Sequence, residues 1–273
     1  MRRYAYLFFS FIFPACYFAN EPMQEVQANN SVGEIPVLPG YARMQTPSDS
    51  FSVWLRAIRL KKDNTVYLYN GSPKRNQSAQ FAVMDIPVGK KDLQQCADAV
   101  MRLRAEYLFS CGRYDDISFL STTGTWLIFG EWLKGKRYKV AGNKLMPFQT
   151  ETIAIDKRKN LEAYLEFVFS YCGTQSLQSQ LKRRLSFAEI QPGDVLVQGG
   201  FPGHAMIVAD VITGAGGKRA FMLAQSYMPA QDIHIVKNPG AKDENSPWYQ
   251  SIGTTQIITP EWIFTTTQLY QWQ

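Results

Sequence analysis

The chain has 273 residues, of which 45% are hydrophobic and 14% aromatic, and a formal net charge of +6. That length and apolar content exclude a disordered chain and suffice for one large domain, or one domain with a sizeable insertion, around a real core. The basic residues are scattered, Lys134, Lys136, Arg137 and Lys139 in one place and Lys182, Arg183 and Arg184 in another, which reads as solvated faces and excludes a dedicated nucleic-acid surface.

Met1-Arg2-Arg3 followed by the uncharged, aromatic run Tyr4 to Ala19 reads as a secretory signal, too short to span a bilayer. Cys16 is the residue a lipid anchor would use, and ordinary cleavage near Ala19 is the other reading. Losing Arg2 and Arg3 with the signal would leave a charge of about +4. No later segment is apolar enough to span a membrane. The body is therefore expected on the far side of it, in the periplasm or at the outer membrane.

Residues 20–45 are polar and read as an irregular leader. A single domain is expected over 46–273, with an insertion near 112–185. Ser48 to Leu60 carries a helical stripe of Phe51, Trp54, Leu55 and Ile58, capped by Ser48 or Asp49. Strands are predicted at 66–69, before the turn pair Asn70-Gly71, and at 81–86. Asp92 to Phe109 is the strongest helix, with Asp92 as N-cap and Gln95 closing a capping box. Its apolar face is Leu93, Ala97, Val100, Met101, Tyr107 and Leu108. Asp98, Arg102 and Glu106 fall at four-residue spacing on another face. Short strands and turns follow over 117–150, then helices at Lys157 to Tyr171 and Ser176 to Leu185. Strands close the chain at 194–198, 204–211, 219–226 and 233–237, with a glycine turn at Thr213 to Gly217 and a last element starting at Pro260-Glu261-Trp262. Helices first and antiparallel strands afterwards describe an α+β fold. No Gly-x-Gly-x-x-Gly turn follows a strand, so a dinucleotide fold is excluded.

Cys16, Cys96, Cys111 and Cys172 are the four cysteines. With Cys16 in the signal, three remain, and at least one thiol stays free in a single chain. Cys111 and Cys172 both precede a glycine near a helix end. Either they pair and leave Cys96 free, or all three are small buried hydrophobes. Cys96 lies in the first turn of its helix, where unpaired N–H groups and the helix dipole are expected to lower a thiol pKa. His204 is one of only two histidines. It opens a strand after Gly199, Gly200 and Gly203, glycines that let backbone approach a ligand or another strand closely. It reads as a general base for a nucleophile, or as a satisfied core histidine. Gln225, the first polar residue after an apolar run, falls roughly opposite His204 and would orient the imidazole. His234 is a second candidate base or a surface residue beside Asp232. Asp98, Arg102, Ser226 and Tyr227 are further secondary candidates. No metal-ligand spacing is present, no cofactor is expected, and nothing in the placement of Asp115, Asp116 and Glu131 selects them as a glycosidase pair.

The segments from Asp92 to Leu108, Pro202-Gly203-His204-Ala205, Leu223 to Gln231 and Pro247-Trp248-Tyr249 resemble an exported bacterial family, best known from the Bacteroidetes, that is described only as a domain of unknown function. The resemblance spans about 40 to 270. More distantly, a helix-borne cysteine, a Gly-Asp-Val strand, a histidine-led strand and a polar residue on the next strand follow the order of NlpC-type papain-like cysteine peptidases and amidases. That resemblance implies a papain-like arrangement with Cys96 as nucleophile, His204 as base and Gln225 as orienting residue. The Gln-Cys-Ala-Asp context of Cys96 and its long separation from His204 depart from that pattern. The implied activity is hydrolysis of an amide, with cell-wall peptide as substrate. The alternative is a non-enzymatic envelope protein that binds glycan or peptide in the same cleft, with Trp126, Trp132, Trp248 and Tyr249 as stacking surfaces.

Overall fold

A computed structural model of the protein describes residues 30–151, 155–243, 245–253 and 255–273. The signal and Cys16 readings lie outside the described residues. The chain runs through β1 (Tyr41–Arg43), α1 (Phe51–Ala57), β2 (Gln80–Val83), α2 (Cys96–Ser110), β3 (Ser118–Leu120), β4 (Trp126–Ile128), α3 (Phe129–Leu133), β5 (Lys136–Ala141) and β6 (Lys144–Gln149). Then come α4 (Lys157–Tyr171), α5 (Thr174–Gln180), β7 (Lys182–Arg183), β8 (Val195–Gln198), β9 (His204–Gly214), β10 (Arg219–Gln225) and β11 (His234–Val236). The last strands are β12 (Tyr249–Gln250), β13 (Gln256–Ile258), β14 (Ile263–Thr265) and β15 (Leu269–Gln271). The fold is α+β around a nine-stranded sheet ordered β2-β11-β10-β9-β8-β15-β7, with β1 paired to β9 and β12 to β10. The paired strands of this sheet run antiparallel.

The central strand β9 explains the layering. Its alternation places Ala205, Ile207 and Ala209 in the core shared with Val100, Met101 and Leu103 of α2. Met206 and Val208 enter a second core with Phe221, Leu223 and Phe264. A strand apolar on both faces must be covered on both, and α1 and α2 cover one side while the second core, with β14, covers the other. The buried Asp210 of β9 pairs with Arg43 and with Arg56 Nε at 2.7 Å, which ties β1 and α1 to the centre of the sheet.

Several boundaries differ from the sequence reading. The irregular leader does not extend through 30–45: Val32 and Ile35 are buried and β1 pairs with β9. Helix α1 is capped by Ser50, whose side chain accepts from Val53 N–H. No strand forms at 66–69; Tyr67 and Leu68 make only isolated bridges to Pro73 and Gln231. Helix α2 begins at Cys96 and not at Asp92. Gln95 is its N-cap, and the Asp98 carboxylate accepts from Gln95 N–H at 3.0 Å to form the capping box. Asp92 is drawn off to accept from Ala230 N–H at 2.6 Å, a tertiary contact that outcompetes the local cap. The helix expected to run to Leu185 stops at Gln180, and β7 follows from Lys182. Cys111 and Cys172 are both helix C-caps, and both are free thiols, as is Cys96, so the pairing is not formed.

Candidate functional site

One cavity of about 710 Å³ opens where α2 begins and β9 begins, and Cys96 and His204 both line it. Cys96 is the first residue of α2, so the helix start leaves its own N–H and that of Ala97 without acceptors four residues back. Burial pushes the thiol up to about 11, with the Asp98 carboxylate adding to the rise, while the N–H groups of Ala205, Ala97 and Cys96 pull the other way. The lowered thiol expected from the helix dipole is therefore corrected: desolvation exceeds the dipole here. Asp98 is itself fully buried and its carboxyl is raised well above the usual range by burial.

His204 is 2% exposed and sits among rings, with Tyr227 at 4.9 Å, Trp262 at 5.1 Å and Phe264 at 5.9 Å between centroids. Its Nε2 meets Gln225 Oε1 at 2.8 Å. Gln225 Nε2 donates to Glu261 Oε2 at 2.8 Å and lies 3.3 Å from His234 Nε2. His234 Nδ1 lies 2.9 Å from the Asp232 carbonyl oxygen. These contacts fix both tautomers by elimination. A carbonyl accepts only, so His234 carries its proton on Nδ1 and receives the Gln225 amide on Nε2. The Glu261 carboxylate also accepts only, which orients the Gln225 amide and leaves its oxygen to His204. His204 therefore donates from Nε2, and its Nδ1 holds the free lone pair. Burial lowers His204 to about 4, against the raising influence of Gln225 and Glu261. Burial lowers His234 to about 3. Both rings are neutral near pH 7.

Glu261 is anchored in turn by Lys74 Nζ at 2.5 Å and Asn76 Nδ2 at 3.3 Å. Lys74 is 8% exposed, and burial lowers its ammonium. Sequence reasoning missed Glu261, Lys74 and Trp262 as site residues. The one available signal was Pro260-Glu261-Trp262, an acidic residue beside an aromatic at an element start.

The structure thus gathers Cys96, His204 and Gln225, and adds Tyr227 at the cavity wall. His234 is buried on the adjacent strand, paired in register with Gln225, which overturns its surface reading. Asp98 lines the cavity. Two secondary candidates stand elsewhere. Arg102 points to Glu106, Gln94 and Pro87, because its position on α2 faces away from β9. Ser226 is buried, with its hydroxyl 2.8 Å from both the Gln94 and the Gln231 carbonyl oxygens and its one proton available to either, a bracing role between two loops.

The loop 199–203 forms the opposite wall and is clipped to α5. Gly199 N–H donates to Gln178 Oε1 at 2.6 Å, and Thr174 Oγ1 donates to the Gly200 carbonyl at 3.2 Å. Gly203 is required by space: a Cβ there would come within 2.3 Å of Gly200 O and 2.5 Å of Thr174 Oγ1. Phe201 on this loop is 98% exposed, and Met228 across the cavity is 56% exposed. Among the described residues no cluster of His, Cys, Asp and Glu could hold a metal ion, and no helix is long and apolar enough to cross a membrane.

The family model described as "Domain of unknown function (4846)" matches residues 33–271. The chain belongs to this family. The match covers β1 through β15 and the whole cavity, so the site lies within the family domain. No curated protein and no solved structure matches the chain.

Proposed function

We propose that this chain is an exported thiol hydrolase of papain-like, NlpC-type arrangement that cleaves an amide bond in cell-wall peptide. The observation that carries the reading is the 2.8 Å contact of His204 Nε2 with Gln225 Oε1, with Cys96 and His204 lining the same cavity. With Nε2 engaged, Nδ1 is the base. Cys96 Sγ attacks the carbonyl carbon as its proton passes to His204 Nδ1. The imidazolium then gives that proton to the leaving nitrogen as the C–N bond breaks, and a thioester remains. Water, deprotonated by the same Nδ1, attacks the thioester and restores the thiol. The Cys96 N–H at the helix start supplies one donor for the oxyanion.

At rest the proton stays on sulfur, because the thiol lies at about 11 and the imidazole at about 4. Attack is thus coupled to proton transfer and does not draw on a standing thiolate. The same raised thiol favours a second reading, in which the scaffold binds envelope peptide or glycan without turnover.

The test is release of peptide from purified peptidoglycan. Cys96→Ala abolishes release while costing about 1–2 kcal/mol of stability, His204→Ala abolishes it while costing about 3–5 kcal/mol because a buried ring is removed, and Gln225→Ala slows it less. Wild-type release by Cys96→Ala removes the thiol from the chemistry. Peptide binding without release by the unaltered chain supports the binder.

A further inference from the structure

The hairpin β5–β6 carries chemistry that the cavity does not use. Between residues 134 and 149 stand five cations, Lys134, Lys136, Arg137, Lys139 and Lys144, and no acid. Of its strand residues only Tyr138 and Leu145 are buried, and they attach it to the body. Register pairs Arg137 with Phe148, Lys139 with Met146 and Ala141 with Lys144. Alternation puts these six on one face. On this face Met146 is 46% and Phe148 44% exposed. Lys136 is matched by Glu131 at 2.6 Å, whereas Lys139 and Lys144 make no ion pair among the described residues.

Large apolar side chains interleaved with unmatched cations suit an interface that is anionic outside and hydrocarbon beneath: the apolar groups enter while the lysine heads stay at the charged layer. A nucleic acid would be met by cations and several stacking rings, whereas this face offers one ring, Phe148, and the thioether of Met146 directly opposite Lys139. A protein strand adding to the edge is disfavoured, because Pro147 removes a donor from β6 and lysines flank it. We propose that the β5–β6 hairpin docks the protein on an anionic lipid surface, independently of any chemistry in the cavity.

Vesicle co-sedimentation of the full chain tests this. Phosphatidylcholine vesicles are compared with phosphatidylcholine–phosphatidylglycerol vesicles, and the readout is the increment due to the anionic lipid. Each cation at the surface is expected to contribute about fivefold in affinity. Lys139→Glu with Lys144→Glu therefore lowers the increment by at least about 25-fold, as does raising the salt. Met146→Ser with Phe148→Ser lowers it by at least about tenfold. All four sites are exposed, so melting temperatures stay within a few degrees. Should a pair melt early, Lys144→Glu and Phe148→Ser alone replace it. Equal binding to both vesicles, or an increment untouched by the lysine pair, overturns the proposal. An increment lost with the lysines but indifferent to the Met146 and Phe148 changes, and matched by a soluble polyanion, also overturns it in favour of plain polyanion binding.

Discussion

Glu261→Ala removes the residue that holds the site network in place. Its carboxylate takes Lys74 Nζ at 2.5 Å, Asn76 Nδ2 at 3.3 Å and Gln225 Nε2 at 2.8 Å. The side chains of Lys74 and Glu261 are only 8% and 14% exposed, so solvent screening is slight. Truncation leaves a buried ammonium and an amide donor without a partner. Breaking a buried pair in this way costs about 3–5 kcal/mol, and the orphaned Gln225 N–H overlaps with that loss and does not add to it in full. At roughly 2–4 °C per kcal/mol for a domain of this size, the melting temperature drops by about 6–20 °C. Urea denaturation reads the change as a lower midpoint at unchanged slope. Burial already lowers the Lys74 pKa, so the stranded amine sheds its proton as pH rises, and the deficit narrows in alkaline buffer. The double variant Lys74→Met with Glu261→Met recovers most of the stability, because no buried charge is then left. A loss below about 1 kcal/mol, with no coupling between the two sites, would mean two independently solvated charges and would refute the anchored network.

Gly203→Ala forces a Cβ to within 2.3 Å of Gly200 O and 2.9 Å of Gln198 O, both backbone, so it should cost about 1–3 kcal/mol and displace the loop that walls the cavity; a melt identical to the parent contradicts the packing described. Acid should weaken the fold through the buried histidines. Both have native pKa values below the unfolded 6.5, about 4 for His204 and about 3 for His234, so the stability they contribute is complete above pH 6.5 and is lost as pH falls toward those values. For His204 the full loss is about 3 kcal/mol. Asp194, raised to about 6 by burial, acts in the opposite sense between pH 6 and 4. The histidine contribution is therefore isolated by His204→Gln, whose stability profile should be flatter than the parent's over pH 6.5 to 4; parallel profiles contradict a neutral buried ring.

The α+β class and the β8–β9–β10 block were legible because β9 alternates apolar residues on both faces and closes at a glycine-rich turn. Helix α4 was legible to the residue: its periodicity is uninterrupted and Asp156 caps it locally, accepting from Arg158 N–H at 2.8 Å. The start of α2 lies four residues beyond the expected cap because Asp92 is committed to Ala230, distant in sequence, and Gln95 with Asp98 caps the helix instead. The nearness of His204 to Gln225, and of Cys96 to His204 along one cavity, was legible from residue type and element position. Glu261 and Lys74 were not, because 187 positions separate them and no local pattern links them. The thiol's raised pKa was hidden too, since the helix start is visible in sequence but the burial around it arises only in three dimensions.

The central claim is that His204 serves Cys96 as a base, and competitive alkylation of the thiols tests it without a substrate. Cys111 is exposed, whereas Cys96 is half-buried. Unassisted, a thiol at about 11 is ionised to roughly one part in ten thousand at pH 7. Mass spectrometry after brief iodoacetamide treatment at pH 7 reads the carbamidomethylation of each cysteine. If His204 takes the proton, Cys96 labelling measured against exposed Cys111 as internal standard falls in His204→Ala. A Cys96-to-Cys111 labelling ratio unchanged in His204→Ala would contradict it.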